Sequence, residues 1–254
     1  MRVYGWLVPT LTILAVAAPA STQTPLIKPA TAADYTALAK LPDWSGTWQP
    51  DWSKLFGNRA AAAPAFTPAA AKIAADYAAK QAQGENLQTD GANCVPPGMP
   101  QIMRMPYPIE FLYNPGRVTI AAETYSQVRR IYTDGQKLPD DPDPQFNGSS
   151  VGHWEGDTLV VDTIGLNPIT SLLPGIHPTE ATKIHEVFHL DEPDLLMVTT
   201  TITDPTLFTQ PLVSKQPYAR KRDWQIREYV CQENNHDAAD QFGRPSFTIE
   251  DRPH

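Results

Sequence analysis

From residue 108 onward the chain consists of short segments rich in β-branched and aromatic residues, separated by turn residues, and this pattern constrains the fold most. The segments include PIEFLY, RVTIAAE, QVRRIYTDG, SVGHWEGDTLVVDTIG, KIHEVFHL, LLMVTTTITD and YARKRDWQIREYVCQEN. Such residues favour strands, and Gly156-Asp157 suits a tight hairpin. About eight strands with mostly short connections predict an all-β antiparallel meander closed into a lipocalin-like barrel.

The N terminus has the form of a secretory signal peptide. Met1-Arg2 supplies a basic start, an apolar stretch follows, and Ala18-Pro19-Ala20 provides small residues for cleavage. Residues 1–20 are therefore predicted to be removed on export, which places the mature protein in the periplasm or outside the cell. No later segment is long and apolar enough to predict a membrane span.

Two further regions precede the predicted barrel domain of residues 106–254. Residues 21–66 are rich in Ala, Pro and Thr and are expected to form loops. Residues 67–105 are expected to contain one helix, with a threonine cap and a proline at its first position, followed by a proline-rich connector. The stretch 93–108 carries five prolines and can form neither helix nor central strand. Long loops at 135–149 and 166–181 are predicted to cover one mouth of the barrel.

Charge and cysteine content narrow the possible partners. A formal net charge of −8 argues against a nucleic-acid partner, because nucleic-acid binding requires a basic surface. Cys94 and Cys231 are an even pair in an exported chain, so they are predicted to form a disulfide. On the chain-entropy model a bridge across so long a loop stabilises the fold by roughly 4 to 5 kcal/mol. No cofactor is predicted, and the oligomeric state stays open.

The segment His185-Glu186-Val187-Phe188-His189 fits the zinc-protease pattern H-E-x-x-H. That site works on a helix, where residues four apart share a face, and a zinc hydrolase is one alternative. The flanking residues instead predict a β-hairpin, in which the two histidine backbones lie about 13 Å apart. The strand context therefore favours an accidental match, and no metal ligand is predicted.

Strand alternation places four carboxylates on the same face as apolar neighbours, and some of them are expected to point into the barrel. Burial raises the pKa of a carboxyl group unless a cation pairs with it, and adjacent arginines offer that cation on either face. One interpretation is a structural ion-pair network; the other is a pocket in which a carboxylate acts as general base. The residues concerned are Glu110, Asp162, Glu186, Glu228, Arg129 and Arg130.

Histidine and aromatic side chains complete the candidate site. His177 lies in a predicted loop, where it could close over a bound molecule and titrate near neutrality. The candidate catalytic set is therefore Glu110, Arg129, Arg130, Asp162, His177 and Glu186. The candidate ligand contacts are His153, Trp154, Tyr132, Glu228 and His185.

Several motifs occur in order along residues 42–235: CVPPGMPQIM, PYPIEFLYNPGRVTI, RRIYTDG, GHWEGDTLVVDT and EYVCQEN. Together they resemble a widespread family of secreted bacterial proteins of unassigned function. The resemblance implies an arginine-like position at His189, which agrees with an accidental H-E-x-x-H match. The family pattern includes the carboxylates and arginines named above and Asp134, without implying whether they serve folding or chemistry.

The leading hypothesis is a periplasmic β-barrel that encloses a small apolar or aromatic molecule. Buried carboxylates and a histidine would allow a proton-transfer reaction of the elimination, isomerisation or hydrolysis type. The alternative from another class is a barrel that binds or carries the molecule without chemistry. The third hypothesis is the zinc hydrolase, which requires residues 183–190 to be helical.

Overall fold

The computed structural model describes residues 30–51, 53, 63–85, 87, 94–231, 237–239 and 245–247, and the predicted signal peptide lies outside these ranges. Nine strands of this part of the chain close into one barrel, which confirms the predicted all-β barrel. A separate two-stranded antiparallel sheet is formed by β10 (Asp237–Ala239) and β11 (Pro245–Phe247). The barrel strands are β1 (Thr47–Pro50), β2 (Ile109–Asn114), β3 (Arg117–Ala122), β4 (Val128–Tyr132), β5 (Ser149–Glu155), β6 (Thr158–Ile164), β7 (Lys183–Glu192), β8 (Leu195–Thr203) and β9 (Leu212–Lys221).

Two α-helices with defined ends lie outside the barrel wall in the part of the chain that the structure describes. The predicted helix is confirmed as α2 (Pro68–Ala82), where the Thr67 side chain accepts a hydrogen bond from the backbone of Ala70 at 3.3 Å. A shorter helix, α1 (Ala32–Ala37), is capped by a reciprocal bond pattern between Thr31 and Asp34. Short 3₁₀ segments occur at Leu38–Lys40, Gln101–Met103 and Thr124–Ser126.

The strand order follows the sequence around the barrel, but one pairing departs from the predicted meander. β4 and β5 are parallel, with Ile131 opposite Ser150, while every other neighbouring pair is antiparallel. Residues 133–148 connect them, and we call this segment the strap. Because the strap returns the chain to the end at which β4 began, β5 runs in the same direction as β4.

The strand that closes the barrel comes from the segment that the sequence analysis assigned to loops. β1 pairs with β2 through Thr47 and Trp48, and with β9 along its whole length. The barrel therefore includes residues before position 106, and β1 escapes prediction because it is four residues long and ends at Pro50. Since β9 has ten residues, its first half extends beyond β1 along one side of the wall.

The barrel interior is filled by side chains rather than open. The inward residues of successive strands are completely buried, among them Ile131, Leu159 and Ile184. At the end where β1 begins, large rings pack edge to face or tilted, with the Trp44 and Phe111 centroids 5.0 Å apart. We call this end the aromatic mouth; its rings belong to Trp44, Phe111, Tyr113, Trp154 and Phe188.

The opposite end, which we call the proline-rich mouth, lies where β9 begins and is covered by residues 95–105, the connector. The predicted disulfide between Cys94 and Cys231 is confirmed, with Cα atoms 5.8 Å apart, and it ties the start of the connector to the chain after β9. Gly98 has a φ of +59°, and a Cβ there would lie 2.2 Å from the Phe146 carbonyl oxygen of the strap. The connector thus sits in direct backbone contact with the strap.

Within the described ranges, neither α-helix combines the length and the apolar character that a bilayer crossing requires.

Candidate functional site

A buried ion pair lies inside the barrel between β4 and β7. Arg129 donates from Nη1 to Glu186 Oε1 at 3.2 Å and from Nη2 to Oε2, and the two side chains are 1% and 0% exposed. The same guanidinium donates to Thr163 Oγ1 at 3.0 Å and to Ser150 Oγ at 3.4 Å. Both carboxylate oxygens of Glu186 are therefore occupied by one cation, as in a structural pair.

The other three predicted carboxylates lie outside the barrel, so Glu186 is the one of the four that points inward, where some of them were expected. Asp162 is exposed on the outer face and pairs with His185 at 2.8 Å. Glu110 is half-buried on the outer face, where it accepts a hydrogen bond from Thr47 Oγ1 at 3.1 Å. Glu228 is exposed and belongs to no strand, so the strand expected at residues 224–230 is wrong.

The remaining candidate catalytic and ligand-contacting residues do not converge on one site. Arg130 and Tyr132 lie on the outer face of β4 and line a cavity of about 840 Å³ beneath the strap. His153 is exposed and pairs with Glu155 at 2.9 Å. Trp154 packs among the rings of the aromatic mouth and lines a cavity of about 450 Å³ there.

The H-E-x-x-H segment forms part of β7, so the helix that a zinc hydrolase requires is absent from this position. His185 and His189 face outward, whereas Glu186 faces inward, because neighbouring residues of a strand point to opposite faces. His189 pairs with Asp191 at 2.8 Å. No group of three His, Cys, Asp or Glu side chains within the described residues could hold a metal ion.

A cavity of about 420 Å³ opens at the proline-rich mouth, beside the part of β9 that extends beyond β1; we call it the β9 cavity. Its wall is largely apolar, with Met103, Val198 and Leu212 among the lining side chains. Polar groups are contributed by Thr200, Ser214, Gln216, Lys215 and Arg104. An apolar wall with a few polar groups is the usual composition of a small-molecule pocket.

A second cavity of about 540 Å³ lies on the other side of Arg104, and we call it the His177 cavity. It is lined by His177, Tyr125 and Tyr77, with residues of the connector and of the loop 166–181. His177 is exposed, and its Nδ1 donates to the Thr170 carbonyl oxygen at 2.9 Å. Loop 166–181 thus lies over the proline-rich mouth, as predicted, while the strap lies along the outside of the wall.

Arg104 separates the two cavities and lines both of them. Its Nη2 donates to Ser214 Oγ at 2.9 Å, and its Nη1 donates to the Leu172 carbonyl oxygen at 3.5 Å. Burial lowers the pKa of Arg104, while the nearby Tyr218 and Glu186 act in the opposite direction. The guanidinium therefore remains a cation held by neutral acceptors.

Tyr218 lies beneath this region and is completely buried. Burial, with Glu186 adding to it, raises the pKa of the Tyr218 phenol well above its ordinary value. The hydroxyl is therefore neutral and donates to the Met103 carbonyl oxygen, which fixes the connector next to Arg104. Through this bond to the neighbouring residue Met103, Tyr218 helps to fix the position of Arg104.

Sequence reasoning missed Arg104, Ser214 and Gln216. The proline-rich composition of the connector indicated no regular element, so no face or neighbour could be assigned to Arg104. The signal available was a single arginine between Met103 and Met105 in an otherwise apolar stretch. A charge in such a setting requires a polar contact or a ligand, and this could have marked the residue.

Comparison with protein-family models and with curated proteins found no match to this chain. The resemblance based on the sequence motifs stays a prediction.

Proposed function

We propose that the protein binds a small, largely apolar molecule in the β9 cavity, in the periplasm or outside the cell. The observation that carries this proposal is the cavity of about 420 Å³ at the proline-rich mouth, with its apolar wall and few polar groups. Its volume falls within the range of roughly 300–1,000 Å³ that is typical of small-molecule sites. The barrel interior is packed with buried side chains, whereas this mouth offers open space beside an apolar wall.

The arrangement supports binding rather than proton transfer. No Asp or Glu lines the β9 cavity among the described residues. Glu186, the candidate general base that points into the barrel, has both carboxylate oxygens bonded to Arg129. A general base must reach the proton that it abstracts with a free oxygen, which Glu186 does not offer without breaking the pair.

The disulfide supports the proposed location. Disulfides persist in exported compartments and are rare in the reducing cytosol. Cys94 and Cys231 are joined across nearly the whole barrel sequence. An exported protein of this kind meets small molecules as they cross the periplasm or leave the cell.

The test uses N-phenyl-1-naphthylamine, a neutral fluorophore that brightens in apolar surroundings. We expect saturable one-to-one binding by the protein without its predicted signal peptide. Leu212→Trp places a larger side chain in the β9 cavity and is expected to weaken binding at least about tenfold, because overpacking removes the space for the probe. Titration of fluorescence against protein concentration measures both affinities.

Leu112→Trp is the matched control, because Leu112 is 49% exposed on the outer face of β2. This variant is expected to bind the probe as the unmodified protein does. Equal weakening by both variants, or no saturable binding by the unmodified protein, contradicts the proposed site.

A further inference from the structure

The two cavities that meet at Arg104 differ in charge from the rest of the protein. The chain carries 28 acidic residues against 20 Lys and Arg. Nevertheless, no Asp or Glu lines the β9 cavity or the His177 cavity among the described residues, while Arg104, Lys215 and His177 do. Three other cavities are lined by acidic residues beside cations: Asp34 and Asp134 with Arg117, Asp141 and Asp143 with Arg130 and Lys137, and Glu123 and Asp223 with Arg227.

Arg104 itself has no acidic partner within the described residues. Its two hydrogen bonds go to a hydroxyl and to a backbone carbonyl, whereas a guanidinium carries five N–H donors. The nearby Glu186 is paired with Arg129, so these three side chains together hold one positive charge in excess. Arg104 is half-buried, and a cation that is partly withdrawn from water without an anion is destabilised, so an anionic ligand group would offset that cost.

We propose that the ligand is a small organic acid, whose carboxylate binds Arg104 while its apolar body occupies the β9 cavity. This inference rests on the proposed function, and it adds the chemical class of the ligand. The planar guanidinium matches a carboxylate with two parallel hydrogen bonds, which a neutral molecule of the same shape does not accept equally well. Lys215, on the same cavity, adds long-range attraction for an anion.

The test compares two probes of nearly identical shape, 2-naphthoate, which is ionised at neutral pH, and the neutral 2-naphthamide. Isothermal titration calorimetry gives a dissociation constant for each. We expect the unmodified protein to prefer the acid at least about tenfold, which corresponds to about 1.4 kcal/mol. Arg104→Gln is expected to abolish that preference, so that acid and amide bind about equally. The affinity for the amide is expected to change less than about twofold.

Arg222→Gln is the matched control, because Arg222 is exposed and pairs with Asp194 at the aromatic mouth. It is expected to keep the preference of the unmodified protein. Arg104→Lys keeps the charge without the planar fork and is expected to retain a smaller preference for the acid. If Arg104→Gln does not fold, the unmodified protein and Arg104→Lys decide the question.

The possible outcomes separate the two proposals. If the unmodified protein binds acid and amide equally, or if Arg104→Gln keeps the preference, the acidic-ligand inference is overturned and the apolar binding site stands. If Arg104→Gln weakens both probes equally, Arg104 serves only to hold loop 166–181 against β9, and the inference is again overturned. If neither probe nor N-phenyl-1-naphthylamine binds, the proposed function itself fails.

Discussion

At the scale of single residues, Arg129 and Glu186 determine what the barrel interior can do. Two completely buried charges leave water at a cost of several kcal/mol each, and the bidentate bond offsets that cost only while both partners are present. Ser150 and Thr163 provide further acceptors for the guanidinium. The two side chains therefore occupy the middle of the barrel and leave no space for a ligand between β4 and β7.

Glu186→Gln is expected to lower the free energy of unfolding by about 3–5 kcal/mol, because it leaves the Arg129 cation buried without a counter-charge. Urea unfolding followed by tryptophan fluorescence measures the change. Asp162→Asn is the control: that side chain is 53% exposed, so its loss is expected to cost less than about 1 kcal/mol. Unchanged stability of Glu186→Gln together with lost probe binding would instead identify Glu186 as a ligand-contacting residue.

Alternation along the strands predicted which residues share a face, but it could not decide which face is inside. Glu186 shares the inner face with Ile184 and Phe188, as predicted. Asp162 and Glu110 also alternate with apolar residues, yet they lie outside, where Leu112 is 49% exposed. Single exposed apolar side chains are common on protein surfaces, so an apolar neighbour does not establish burial.

At the scale of elements, the connector matters most for the site, and its sequence predicts its shape least. The connector contains three prolines, which lack the backbone N–H groups that a helix or a β-ladder needs, so neither pattern can be recognised in it. The connector is held instead by specific contacts, among them the bond from the Met99 amide to the Phe146 carbonyl oxygen at 2.8 Å. Tertiary contacts of this kind leave no periodic signal in the sequence, which explains why Arg104 was missed.

Gly98→Ala is expected to lower the free energy of unfolding by about 1 to 3 kcal/mol more than the control variant Gly135→Ala does. The new Cβ would lie 2.2 Å from the Phe146 carbonyl oxygen, so the connector must move away from the strap. Gly135→Ala is the matched control, since its φ is also positive, at +85°, but no atom lies within 4 Å of the added carbon. Equal losses in urea unfolding would show that the contact is easily relieved.

At the scale of the whole molecule, the closed barrel and the disulfide were predictable, whereas the identity of the strand that closes the barrel was not. Strand propensity and turn residues indicated most of the wall from β2 to β8, whereas the first half of β9 was not predicted. β1 is four residues long, and Trp48 in it is buried against Arg220, whose guanidinium lies 4.5 Å from the ring centre. The parallel pairing of β4 with β5 depends on the path of the strap, and a loop sequence does not determine which end of the barrel the chain returns to.

The disulfide acts on the molecule as a whole, because Cys94 and Cys231 enclose a loop with a sequence separation of 137 that contains β2 to β9. Replacing both cysteines with serine frees the unfolded chain, and we expect the free energy of unfolding to fall by about 4 to 5 kcal/mol. Urea unfolding with and without a reductant measures the loss; the reductant is expected to destabilise the unmodified protein similarly and to leave the double variant unchanged.

Because the bridge also anchors the connector, the affinity for N-phenyl-1-naphthylamine is expected to fall in conditions where the variant remains folded. A double variant with full stability would mean that the packed barrel alone determines the fold, and one with full probe affinity that the connector holds Arg104 without the bridge.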